Sequence, residues 1–152
     1  MLAPPLLVVL DTNIWLDLLV FRDPGVDWLT AALLDGHVDA VIDAFGLAEF
    51  ERVLGYRLGR FALAPEQRLQ KMDACRALAC EFSAIAEAPG AVLPRCRDRH
   101  DQPFLELAHA CGARYLITKD RDLLMLARRL GPQAGFAIIT PKDARQVLAS
   151  GS

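Results

Sequence analysis

Leu6-Leu7-Val8-Val9-Leu10-Asp11-Thr12-Asn13 is an unbroken apolar run that ends abruptly in a carboxylate. Short, branched and apolar at every position, the run reads as a strand covered on both faces, the kind found in parallel sheets. A second run, Tyr115-Leu116-Ile117, ends the same way in Thr118-Lys119-Asp120-Arg121-Asp122. Ligands of open α/β sheets bind in the crevice beyond the carboxyl ends of the strands. Two strands that each deliver an acid there predict one acidic site built from distant parts of the chain.

Outward from these runs, helical and strand patterns alternate. Residues 12–21 are apolar and helix-compatible, Arg22-Asp23-Pro24-Gly25 breaks them, and residues 26–34 resume an amphipathic helix that Gly36 closes. A strand over 38–42 follows, then helical spacing through Phe45, Ala48, Phe50, Val53 and Leu54, interrupted by Gly55 and Gly59. Pro65 opens a helix over 66–82, and a third strand is expected within 83–86 or 91–93, around Pro89-Gly90. Pro103 starts a helix that Gly112 ends; a strand over 115–118, a helix from Asp120 to Leu130, a strand over 136–139 and a helix over 141–149 complete the series. The pattern predicts an α/β fold, a three-layer α/β/α single domain over residues 1–152 with a mainly parallel sheet of about five strands. No repeat, low-complexity tract or linker interrupts it.

The chain has 152 residues, 53% of them hydrophobic, and a formal charge of −2. Such a composition argues against disorder and provides no global attraction to nucleic acid, so an anionic partner must be held locally. No basic residue precedes the first apolar run and Asp11 cuts it off, which predicts neither a signal peptide nor a membrane span and places the chain in the cytoplasm. Cys75, Cys80, Cys96 and Cys111 form no C-x-x-C pair and stand at no zinc-ligand spacing from His37, His100 and His109; they read as reduced, mostly buried thiols.

Each candidate acid has a plain structural reading beside the functional one. Asp11 and Asp101 precede helices that they can cap, Asp120 and Asp122 lie at a helix start where the dipole favours a carboxylate, and Asp98 competes with Asp101. Glu49 lies among Leu47, Ala48 and Phe50, so it is either buried with a partner or exposed and paired with Arg52 or Arg57. Asn13 and Thr118 can orient a carboxylate or water. Jointly the functional reading gains, because gathered carboxylates repel one another unless a hard cation neutralises them, and an all-oxygen set favours magnesium or manganese.

Four strings carry a family resemblance: Val8-Val9-Leu10-Asp11-Thr12-Asn13; Ala48-Glu49-Phe50-Glu51-Arg52-Val53-Leu54; Asp101-Gln102-Pro103-Phe104-Leu105-Glu106-Leu107-Ala108; and Gly112-Ala113-Arg114-Tyr115-Leu116-Ile117-Thr118-Lys119-Asp120-Arg121-Asp122-Leu123-Leu124. In order and spacing the chain resembles the PIN-domain family, in particular its toxin-like (VapC-like) branch of toxin–antitoxin ribonucleases. The resemblance implies an endoribonuclease that uses one or two Mg2+ or Mn2+ ions. Asp11, Glu49, Asp101 and Asp120 would be the catalytic, metal-holding acids, with Asp122 accessory and Asn13 and Thr118 supporting. It also implies an RNA substrate, a cognate antitoxin and a homodimer or higher homo-oligomer. Family members commonly place Gly where Lys119 stands; a cation there either contacts phosphate or hinders metal entry. Arg52, Arg99, Lys119 and Arg121 are the candidate RNA contacts within a possible basic rim.

Two other readings stand beside it. A haloacid-dehalogenase-like phosphatase also begins with Asp after a strand, but Asn13 occupies its second acidic position. A non-catalytic interaction module would use its acids as helix caps and an apolar surface drawn from Trp15, Phe21, Trp28 and Phe61.

Overall fold

The computed structural model describes residues 4–58, 62–83 and 93–150. Its sheet consists of β1 (Leu6–Leu10), β2 (Val38–Ile42), β3 (Ala79–Glu81), β4 (Tyr115–Ile117) and β5 (Ala137–Ile139). They lie in the order β3-β2-β1-β4-β5 and every neighbouring pair is parallel. The chain builds outward from β1 to β2 and β3, then returns across the sheet to place β4 on the other flank of β1. The order reverses between β1 and β4, which is where doubly wound sheets open their ligand crevice.

The helices are α1 (Thr12–Leu16), α2 (Asp27–Asp35), α3 (Ala44–Leu54), α4 (Pro65–Leu78), α5 (Gln102–Cys111), α6 (Arg121–Met125) and α7 (Pro141–Ser150). Alternation along the strands divides the core in two. Val8 and Leu10 of β1, Ala40 and Ile42 of β2 and Ile117 of β4 pack with Ile14, Trp15, Leu29, Phe50 and Met72. Val9, Val41 and Leu116 face the opposite side, against Phe104, Leu105, Ala108, Leu123 and Phe136. Helices thus cover both faces, as the wholly apolar central strand β1 requires. Full burial of each such side chain stabilises the fold by roughly 1.5–3 kcal/mol.

Two glycines permit this packing. A Cβ on Gly46 would lie 2.8 Å from Ile42 Cγ1, so α3 approaches β2 closely only because the position is bare. Gly112 closes α5 with φ +72°, a left-handed conformation that strains other residues.

Three expectations about elements need correction. The third strand lies at Ala79–Glu81, directly after a helix that stops at Leu78, rather than beyond residue 83; residues 84–92 lie outside the described set. α6 ends at Met125, and a 3-10 turn over Ala127–Arg129 replaces its expected last turns. The helix over 12–21 changes after Leu16 into a π turn, Asp17–Phe21. Among the thiols Cys75 alone is buried, Cys96 and Cys111 are half-buried and Cys80 is exposed. Trp15 is buried and Trp28 partly so, Phe21 is 40% exposed, and Phe61 lies outside the described residues. Among the described residues no helix is long and apolar enough to cross a membrane.

Candidate active site

β1 ends in Asp11 and β4 in Thr118, side by side at the reversal point. The Asp11 N–H donates to the Ile117 carbonyl at 3.3 Å, extending the parallel ladder by one residue and aiming both side chains into the crevice. Asp11 is 4% exposed and Thr118 fully buried. A buried carboxylate must be hydrogen-bonded. Asp11 Oδ1 accepts from the Ile14 N–H at 3.0 Å, capping α1, while Oδ2 accepts from the Thr118 hydroxyl. That hydroxyl in turn accepts from the Asp120 N–H at 2.9 Å, so its proton is left to point at Asp11. Thr118 therefore links the two acids and fixes their relative position.

Asp120 caps α6, its Oδ1 accepting from the N–H groups of Asp122 at 2.8 Å and Leu123 at 3.2 Å. The capping and functional readings are compatible for Asp11 and Asp120. Asp101 differs: it stands at the start of α5 but makes no side-chain cap bond. Gln102 instead ties the preceding segment down, accepting from Cys96 N–H at 2.7 Å and donating to the Pro94 carbonyl at 3.3 Å. The contact to Asp101 Oδ2 is from the Cys96 thiol at 4.0 Å, a weak donor at long range.

The electrostatics follow from these partners. Burial pushes the Asp11 pKa up to about 6, with the bonds from Thr118 and Ile14 pulling it down and the charges of Asp120 and Asp17 adding to the rise. Asp101 goes to about 7, raised first by burial and then by Asp120, Asp98, Asp11 and Asp122. The more open acid is perturbed further because it lacks the donors that stabilise Asp11 as an anion. Asp120 thus acts on both Asp11 and Asp101, and Asp11 acts on Asp101, which marks this edge of the sheet as one anionic patch.

The remaining candidates take separate places. Glu49, with its side chain 13% exposed, is engaged by Arg52: Nε donates to Oε2 at 3.2 Å and Nη2 pairs with Oε1. Arg52 also lies over the Tyr56 ring, 5.3 Å from its centroid. Asn13 is exposed. Lys119 pairs with Asp17 and lies 3.7 Å from Asp23. Arg99 and Arg95 flank a pocket of about 260 Å³ beside Cys96 and Gln102, while Arg121 and Arg128 line a hollow of about 450 Å³ with Leu124 and Met125.

Asp17, 7% exposed, was not among the expected acids. It sits in Ile14-Trp15-Leu16-Asp17-Leu18-Leu19, and the same reasoning that singles out Glu49, a charge inside an apolar stretch, marks it equally. For a divalent cation the donor chemistry fits: oxygens only, one acid deeply buried, and mutual repulsion that a hard ion relieves. Among the described residues, however, no three His, Cys, Asp or Glu side chains already stand close enough to enclose a metal.

With this geometry in hand, the chain matches the family description "PIN domain" over residues 7–122. Its fold is similar to a chain in the crystal structure of VapBC2 from Rickettsia felis bound to a DNA fragment from their promoter, with a TM-score of 0.56 and 16% identity over 89% of this chain and 98% of that one. At such identity the likeness is one of fold. A search of the curated proteins finds no match.

Proposed function

The chain belongs to the PIN-domain family, and from that premise we propose that it is a divalent-metal-dependent endoribonuclease, the toxin member of a toxin–antitoxin pair. One observation carries the reading: Asp11 is buried at the end of the central strand, under the Thr118 hydroxyl, in a patch of acids that repel it. A purely structural cap gains nothing from that crowding, whereas a cation-binding carboxylate is held ready by it.

Asp11, Asp101 and Asp120 would hold the ion, with Asp122 accessory and Glu49 joining only on release of Arg52. Bound there, Mg2+ or Mn2+ supplies a Lewis acid that lowers the pKa of water and offsets charge on the scissile phosphodiester. Thr118 keeps Asp11 ionised and oriented through its donated proton. Asp101, free of capping, can turn its carboxylate toward the ion without exposing a helix N–H. Arg99 and Arg121, close in sequence to Asp101 and Asp120, would contact RNA phosphates from the hollows that they line. An antitoxin partner, self-association and a cytoplasmic single-domain protein belong to the same proposal, the first supported by the VapBC2 likeness.

The test is cleavage of end-labelled RNA in Mg2+ or Mn2+ and in chelator, with product ends identified. We expect metal-dependent cuts leaving 5′-phosphate and 3′-hydroxyl, and binding that weakens steeply with salt. Equal cleavage in chelator, or none with either metal, rejects the reading.

A further inference from the structure

Lys119 lies between Thr118 and Asp120, so its backbone belongs to the loop that forms the site. Its side chain crosses to the opposite wall, pairing with Asp17 on the π turn and reaching to 3.7 Å from Asp23. The wall is shaped for this contact. Single π turns are rare and often mark functional sites, and here the Asp17 carbonyl also accepts the Asp23 N–H at 2.9 Å, folding both acids toward the same ammonium. Asp23 keeps its orientation through Oδ1, which accepts from the Gly25 N–H at 2.9 Å.

Asp17 acts on Asp11, and Asp11 acts on Lys119, so the ammonium lies within electrostatic reach of the buried acid. A carboxylate as buried as Asp17 requires a counter-charge. Lys119 provides one that is covalently attached, withdraws Asp17 and Asp23 from the donors open to metal, and repels a further cation on that flank.

We infer that Lys119 is a built-in cation of the acid site that closes the Asp17 and Asp23 flank to a divalent ion, so that the chain binds one ion on the Asp101 and Asp120 side. This rests on the metal-dependent reading above. It gives Lys119 a positioning and charge-balancing role instead of an RNA contact.

The experiment counts Mn2+ per folded chain by calorimetric titration, with electron paramagnetic resonance reporting coupling between neighbouring ions. The expected result is one uncoupled Mn2+ in the wild type, one in Lys119→Arg, and a doubling to a coupled pair in Lys119→Met. In Lys119→Met combined with Asp17→Asn the count returns to one. Lys119→Gln, which keeps a donor within reach of Asp17, replaces Lys119→Met if that variant does not fold. Two ions in the wild type, or one ion in the folded neutral variants, overturns the inference while leaving the nuclease reading intact. No Mn2+ bound by the wild type overturns both.

Discussion

The strand edge that carries Asp11 and the face of α3 that carries Glu49 satisfy a carboxylate by opposite means. Asp11 arrives at the end of a strand covered on both sides, cannot turn to water, and depends on a hydroxyl 107 positions away. Glu49 sits on a helix and is answered by Arg52, three positions on and itself 47% exposed. Local pairs of that kind contribute little, because the exposed arginine is nearly as well served by water. An apolar neighbourhood in the sequence therefore does not by itself deprive an acid of a local partner; delivery by a buried strand end does.

The contrast is most directly broken by removing each carboxylate in turn. Asp11→Asn is expected to lower kcat/KM for RNA by about a thousandfold or more, with the melting temperature unchanged or raised because repulsion is relieved. Glu49→Gln is expected to stay within about tenfold of wild type. Equal losses would place both acids on the same footing and end the distinction.

Proton linkage sharpens it next. Asp11 and Asp101 have folded pKa values raised from 3.8 to about 6 and about 7, so their contribution to stability is fully present below pH 3.8 and lost as pH rises through those values. For Asp11 the full loss is about 3 kcal/mol. Denaturant titrations of metal-free protein between pH 4 and 8 should show stability falling with pH, and Asp11→Asn should flatten part of that slope. A flat wild-type profile contradicts the buried, repelled acids described above.

Thr118→Val removes the donor to Asp11 and the acceptor for the Asp120 N–H while preserving shape. Its expected cost is about 1–3 kcal/mol, together with a shift of the activity profile to higher pH as Asp11 becomes harder to ionise. Arg52→Ala should leave stability nearly unchanged, read from the same denaturation curves. A larger loss would make the α3 pair a structural anchor after all.

Much of the architecture was legible because it rests on pattern. β1 and β4 are apolar runs, β2 is apolar except at Asp39, and Gly36, Gly112 and Pro65 fall at helix boundaries. β3 was missed for a physical reason: Ala79-Cys80-Glu81 is a three-residue edge strand, largely exposed, without the two covered faces that write an apolar run into a sequence. Of the candidate site, the placement of Asp11, Asp101 and Asp120 was readable from strand ends and helix starts. Whether each served as a cap was not, since a lone Asp before a helix looks the same with or without the bond; Asp101 alone turns out to make none. Asp17 and its tie to Lys119 were hidden because the contact joins two loops through a π turn, a geometry without a residue signature.

The 107-position span between Asp11 and Thr118 also sets when the site can exist. While the ribosome is still extending the chain, β1 can pair with β2, but the hydroxyl that steadies Asp11 and the Asp120 beside it have yet to be made. Under the proposed activity, competence waits until β4 and the residues that follow it have been made.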